Sequence, residues 1–175
     1  MRLSPPSSAA VVARVVARLR EAGTLVDLAA GDGTLVAEVA RARPDVALLG
    51  YERDPGLVAG ARARGIARAT FALFDLALDR PPPARGRVDV VVAPFVLGAQ
   101  PEDGALFTHL RRLLREGGLL LAVESDDATA RRVGEILVRR GFALEATEAL
   151  DGGLVATLAT PDPARAHTTT IRGWD

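Results

Sequence analysis

Three acids in the first half of the chain stand at or just after the ends of apolar runs: Asp27 in LVDLAAGDG, Glu52 in VALLGYE and Asp75 in FALFD. A carboxylate accepts several hydrogen bonds at once, so at a strand end it can hold a vicinal diol or an exocyclic amine. Between the first two acids lies Asp27-Leu28-Ala29-Ala30-Gly31-Asp32-Gly33-Thr34. Its paired glycines let the backbone turn sharply and approach a ligand closely. A helix opening near Thr34 would aim its N-terminus at the same place and favour an anionic group such as a carboxylate. Glu52 follows Gly33 by 19 residues. That is close to the spacing of about 20 at which an acid in a nucleotide-binding βαβ unit holds ribose hydroxyls. Asp75 could accept from a base amine while the N–H of Leu76 donates to a ring nitrogen. Each feature has a plainer reading: a tight turn, an exposed strand-end charge, a turn residue. Their succession at three strand ends favours binding.

The composition removes other chemistries. All 22 basic residues are arginine, balanced by 22 acids, for a formal net charge of zero. Without lysine there is no Schiff-base chemistry and no phosphate-loop lysine. Without cysteine there is no thiol nucleophile, disulfide, thiolate zinc site or iron–sulfur cluster. His109 and His167 are the only histidines, so no metal centre is expected. Zero net charge argues against a broad electrostatic grip on nucleic acid. Arg14 and Arg18 interrupt the apolar N-terminal stretch. It is therefore not expected to span a membrane or to act as a signal peptide, and a soluble, cytoplasmic protein is expected.

Short apolar runs alternate with amphipathic stretches, as in β-α units on a parallel sheet. Strands are expected at Thr24 to Ala30, Val46 to Glu52, Ala69 to Phe74, Val88 to Ala93 and Leu119 to Glu124. A helix carrying Val11, Val12, Val15, Val16 and Leu19 should precede them, capped by Ser4 or Ser7 and ended by Gly23. Further helices are expected at 34–42, 55–64, 102–115 and 127–140, the one over 102–115 stopped by Gly117-Gly118. Residues 77–87, with three consecutive prolines, are expected to be irregular. Phe142 to Leu150 and Leu154 to Ala159 flank Asp151-Gly152-Gly153 and predict a β-hairpin. The fold class is thus α/β: a doubly wound, mostly parallel seven-stranded sheet, helices on both faces, and a C-terminal antiparallel hairpin. One domain over residues 1–160 and a loose tail over 161–175, with Trp174, are expected. Ligands of such folds sit outside the carboxyl ends of the strands.

The third glycine of a dinucleotide fingerprint is replaced by Val36, and Asp27 does not belong to that fingerprint, which disfavours a nicotinamide-dependent oxidoreductase. The ordered set LVDLAAGDG, GYERDPGLVAGAR, ATFALFD, VDVVVAP and LLREGGLLLAVE resembles instead the class I S-adenosylmethionine-dependent methyltransferases. The resemblance covers about residues 5–160. It implies S-adenosylmethionine as cofactor, held by Asp27, Ala29, Ala30, Gly31, Asp32, Gly33, Glu52, Asp75, Leu76 and Ala93. In it Gly31 and Gly33 face the methionine moiety, Glu52 the ribose, and Asp75 with Leu76 the adenine. Ala93 and Pro94 lie beside the methyl group, and an antiparallel strand is added at the sheet's end. A fainter likeness, over residues 26–75, is to small archaeal-type protein-lysine methyltransferases. Many amino-group enzymes of this class carry Asn or Asp before Pro-Pro and an aromatic, where this chain has Ala93-Pro94-Phe95. Ala93 has no oxygen to accept from an amine, which argues against methylation of adenine N6 or glutamine.

Methyl transfer by in-line displacement needs alignment and dryness more than a general base, and no catalytic base is identified. His109 reads as a helix-packing residue, and Asp126 as a helix cap ahead of any proton transfer by Glu124, Ser125 or Asp126. The arginines at 111, 112, 115, 131, 132, 139 and 140 read as solvated helix faces. The expected function is an S-adenosylmethionine-dependent methyltransferase whose acceptor is a protein, an RNA or a small molecule. The alternative is a catalytically silent module of the same fold that binds cofactor or a partner.

Overall fold

The computed structural model describes residues 5–75, 87–102 and 105–165. In chain order it has α1 (Pro5–Arg18), β1 (Thr24–Asp27), α2 (Thr34–Ala42), β2 (Ala47–Glu52), α3 (Pro55–Ala63), β3 (Ala69–Leu73), β4 (Val88–Pro94), α4 (Ala105–Leu113), β5 (Leu114–Glu124), α5 (Asp127–Arg139), β6 (Phe142–Ala149) and β7 (Val155–Pro161). The seven strands form one sheet in the order β3-β2-β1-β4-β5-β7-β6. β1 to β5 are parallel, and β7 runs antiparallel to both β5 and β6. The expected fold class is therefore present. The hairpin does not simply extend the sheet: β7 inserts beside β5 and leaves β6 as the edge.

Side chains alternate across each strand, and this splits the apolar runs between two cores. Leu25, Val90, Val92, Leu119, Leu121 and Val123 face Val11 and Val15 of α1 and Val36 and Val39 of α2. Val26, Val91, Leu120 and Ala122 face Phe107 and Leu110 of α4 and Val133, Ile136 and Leu137 of α5. Every residue of β4 is buried, as expected of a central strand covered on both faces. Among the described residues no helix is long and apolar enough to cross a membrane.

Local chemistry sets the helix starts. Asp54 caps α3, accepting from Gly56 N at 2.7 Å and Leu57 N at 3.2 Å, with Pro55 in the first turn. Asp126 caps α5 through Thr129 N at 2.8 Å, so capping accounts for this residue. Ser4 lies outside the described residues, and Ser7 lies within α1 rather than before it.

Several boundaries differ from the sequence reading. α4 is shorter than expected and ends at Leu113, where β5 begins. The glycine pair at 117–118 sits in an irregularity within β5, where pairing with β4 jumps from Leu114 opposite Val88 to Leu119 opposite Val90. β1 ends at Asp27, short of the expected Ala30, although Leu28 N still donates to Val92 O and Ala30 N to Tyr51 O, each at 3.0 Å. Residues 162–165 are tied back, Asp162 N donating to Gly141 O at 2.9 Å and an Arg165 Nη to Val138 O at 2.8 Å. Residues 162–165 of the expected tail are thus held against the fold, and residues 166–175, with His167 and Trp174, lie outside the described residues, as do Leu76 and most of the proline-rich segment.

The amino end of the sheet is held by one buried carboxylate. Asp89, 1 % exposed, receives Arg20 Nε at 2.5 Å, Arg115 Nε at 2.6 Å and Thr24 N at 2.8 Å. A Cβ on residue 23 would lie 2.8 Å from Asp89 Oδ2, so Gly23 is what lets this carboxylate reach the start of β1. Gly23 does not end α1, which stops at Arg18. Burial pushes the Asp89 carboxyl up, but the hydrogen bonds from Arg115, Thr24 N and Arg20 outweigh it, leaving the group below its ordinary value. An acid depressed in the folded state stabilises the fold above its unfolded pKa and loses that contribution as pH falls through the folded one. Asp89→Ala should cost about 2–3 kcal/mol in urea unfolding at pH 7, the scale of stranding buried partners of a carboxylate. Asp89→Asn should flatten the acid limb of stability against pH.

Candidate functional site

The carboxyl ends of β1, β2, β3 and β4 open onto a cleft of about 770 Å³. It lies where strand order reverses between β1 and β4, the switch point at which open α/β sheets bind ligands. Its volume falls in the range of about 300–1,000 Å³ common to small-molecule sites. Of the residues expected here, Asp27, Ala29, Ala30, Gly31, Asp32, Glu52 and Asp75 line it. Two are placed differently. Ala93 is fully buried in the core, and Pro94, Phe95 and Val96 line the cleft after β4. Gly33 lies behind the loop, where a Cβ would meet the Phe71 ring at 2.9 Å. Leu76 lies outside the described residues.

The glycine loop is built from its backbone. Gly31 has φ +55° and Gly33 φ +78°, the left-handed region where a side chain costs roughly 1–2 kcal/mol. Gly33 N donates to Ala30 O at 2.8 Å, and Gly33 itself precedes α2 with no side-chain cap. Ala30 N donates to Tyr51 O at 3.0 Å, which ties the loop to β2. Space around a Cβ at Gly31 is open to 4 Å. Asp32 accepts from Thr34 N and Thr34 Oγ1, and Arg64 reaches over from the end of α3 to Asp32 Oδ2 and Thr34 Oγ1, each at 3.1 Å.

Glu52 links these parts. Its Oε2 accepts from Gly31 N at 3.0 Å, and its Oε1 from Arg53 N at 2.8 Å and Asp54 N at 3.0 Å. A carboxylate has about four lone-pair sites, so three backbone N–H groups leave Oε2 able to accept one more. Asp27, 1 % exposed, accepts from Ala29 N at 3.2 Å. Burial first, then the nearby charge of Glu52, push its carboxyl up to about 7 against the lowering effect of that hydrogen bond.

Sequence reasoning missed several lining residues. Phe74 sits 5.0 Å from Tyr51, ring centre to centre, and its N–H donates to Glu52 O at 2.9 Å. Leu57 of α3 lines the same side. At the other end of the cleft Ser8 of α1 donates to Glu38 of α2, with Gln100 nearby in the lining. Phe95 carries φ +58°, uncommon for a bulky residue, and its N–H donates to Val123 O at 2.7 Å. A signal was available for Glu38, one helical turn beyond Thr34 on the same face of α2. Glu124, considered for proton transfer, is buried and holds Gly98 N at 3.0 Å instead of lining the cleft. His109 lies on α4, away from the cleft lining.

Residues 26–120 match the methyltransferase domain family, and the chain belongs to that family. It is 36% identical over 105 residues to a trans-aconitate 2-methyltransferase of Methylobacterium radiotolerans, an alignment covering 60% of this chain and 38% of that protein. The chain thus spans about two fifths of the length of the curated relatives it matches. In fold it is similar to a TehB-like SAM-dependent methyltransferase of Corynebacterium glutamicum, with TM-score 0.71, 18% identity, and 91% and 89% of the two chains covered. It is equally similar to an S-adenosylmethionine-dependent methyltransferase of Mesorhizobium loti, with TM-score 0.72, 16% identity, and 89% and 98% covered.

Two predictions follow from the loop. An acid whose pKa is raised on folding destabilises the fold as pH rises from its unfolded value to its folded one. Unfolding free energy should therefore fall between pH 4 and 7, and Asp27→Asn should remove much of this slope. The gap between 3.8 and about 7 corresponds to roughly 4 kcal/mol as an upper bound. Gly33→Ala should cost more stability than Gly31→Ala in thermal or urea melts, because both carry backbone strain but only residue 33 meets a ring.

Proposed function

We propose that the cleft binds S-adenosylmethionine and that the protein transfers its methyl group to an acceptor by in-line displacement. The observation that carries this reading is the meeting of Glu52 with Gly31 N at 3.0 Å at the cleft wall. An acid able to accept from a hydroxyl thus stands beside a glycine whose Cβ position is open. Membership of the methyltransferase family supports it. When bound, the sulfonium supplies an electrophilic methyl group that needs no further activation.

The residues then have distinct tasks. Glu52 offers its remaining acceptor site, on Oε2 beside the Gly31 N–H, to one ribose hydroxyl, and a bidentate grip on the diol requires one of its three backbone donors to give way. Asp75 accepts from the base amine, while Leu57 and Phe74 provide apolar surface for its ring. The loop from Ala29 to Asp32 receives the amino-acid end, with Asp27 holding the loop from beneath. Pro94, Phe95 and Val96 bound the methyl-transfer end and keep water out. A cytoplasmic location goes with this reading, and among the described residues no helix is long and apolar enough to cross a membrane.

Isothermal titration with S-adenosylmethionine and its demethylated product tests the proposal. Micromolar binding is expected, and folded protein with no binding at millimolar ligand would sink it. Glu52→Gln should weaken donor binding by roughly 1–3 kcal/mol, the scale of losing a charge-assisted hydrogen bond. Glu52→Ala should weaken it further, because Gly31, Arg53 and Asp54 lose their common acceptor. Unchanged affinity in both variants would remove the ribose assignment. Label transfer from donor to any acceptor pool separates an enzyme from a silent binding module.

A further inference from the structure

The acceptor end of the cleft has a definite chemical character. Beyond the strand ends and loop given to the donor, the described lining of the cleft includes Ser8 and Glu38 of the first two helices and Pro94, Phe95, Val96 and Gln100 after β4. One carboxylate and one aromatic face are present, and among the described residues no arginine or histidine lines this end. In the whole described lining the acids are Asp27, Asp32, Glu38, Glu52, Asp54 and Asp75, against Arg53 alone as a cation. The arginines of α1 are turned elsewhere, Arg14 to Glu148 and Arg18 to Glu145 on β6. Beside the cleft, Arg64 is engaged by Asp32 and Thr34 and Arg132 by Gly98 O, while Arg20 and Arg115 serve Asp89 at the opposite end of the sheet.

Most of the acids already have a task. Asp32 pairs with Arg64, Asp54 caps α3, and Glu52 holds three backbone N–H groups. Among the described residues Glu38 accepts from the Ser8 hydroxyl, and a carboxylate with about four lone-pair sites keeps acceptor capacity toward the cleft. A polycarboxylate acceptor would bring like charge to Glu38 in a cleft whose described lining has six acids against Arg53 alone as a cation. An ammonium group would find a carboxylate partner and an aromatic face suited to cations.

We propose that the acceptor is an aliphatic amine, held as its cation by Glu38 and Phe95, rather than a carboxylate of the kind named in the relatives. This rests on the donor-binding reading of the cleft. The ammonium first loses a proton to water at the open mouth. The free nitrogen lone pair then forms the N–C bond while the S–C bond breaks, and its electron pair returns to sulfur as a neutral thioether. The product is a methylated ammonium that carries the charge away. An aliphatic nitrogen has an unconjugated lone pair, so the missing oxygen at Ala93 is no obstacle, unlike for adenine N6 or an amide.

The test uses the full chain, after calorimetry has shown donor binding, with methyl-labelled S-adenosylmethionine. It is offered trans-aconitate and, separately, a panel of amines: putrescine, tyramine and a lysine-containing peptide. Transfer to at least one amine is expected at 100-fold or more the rate into trans-aconitate, as a product whose label survives alkali. Methyl esters release methanol under alkali and methylated amines do not. Equal or faster transfer to trans-aconitate, or no transfer to any amine by donor-bound protein, overturns the inference. Failure of donor binding instead removes the reading beneath it. Glu38→Gln should raise KM for the amine about tenfold with donor affinity unchanged, and an unchanged KM overturns the part given to Glu38.

Discussion

Two carboxylates stand at neighbouring strand ends, and the loop between them is built around the backbone donors that each receives. Glu52 collects three backbone N–H groups. Asp27 is buried beside it with one N–H, and its carboxyl rises to about 7. Burial is the main cause, because desolvation disfavours the charged form, and the nearby charge of Glu52 adds to it. The donors to Glu52 come from the glycine loop and from the turn after β2. The loop shape, the direction of α2 and the electrostatics of the cleft are therefore one arrangement, fixed by where Glu52 points.

The other end of the sheet shows the same residue type under opposite conditions. Asp89 is as buried as Asp27, yet its carboxyl is lowered because two guanidinium groups and Thr24 N meet it. A structural carboxylate is given cations, whereas the one at the cleft is denied them. Several arginines expected on solvated helix faces share this structural work. Arg111 donates to Gly141 O at 3.0 Å, Arg140 to Glu102 O at 2.6 Å, and Arg132 to Gly98 O. In a chain whose cations are all arginine, the forked guanidinium suits such pairing with carbonyl oxygens. The described exceptions, Arg112 and Arg131, lie exposed.

The methyl-transfer end depends on the segment after β4. Phe95 is held in its left-handed conformation by its hydrogen bond to Val123 O. The following turn is held by Glu124, which accepts from Gly98 N, while Arg132 donates to Gly98 O. Gly98 is thus gripped on both sides of its peptide. This explains the burial of Glu124, whose carboxyl is pushed up by that burial. It acts on the site through the backbone it fixes.

The sequence by itself determined the sheet, the two helix layers, the hairpin and the strand-end acids, because these follow from local rules. Apolar runs covered on both faces must be central strands, Asp54 and Asp126 cap the helices they precede, and acids just past strands must gather at one edge. Only the tertiary structure decided the roles that depend on what lies across the gap. Ala93 and Pro94 are neighbours in sequence, but strand alternation buries one in the core and turns the other to the cleft. Gly31 and Gly33 look alike in the motif, yet one faces open space and the other faces Phe71, which arrives from β3. Glu38 and Ser8 are 30 residues apart, and nothing in either local pattern pairs them. The insertion of β7 between β5 and β6, and the use of Gly23 to admit Asp89, rest on long-range packing of the same kind. Periodicity records which face of an element is apolar, whereas the identity of the partner on that face is fixed only when the chain closes on itself.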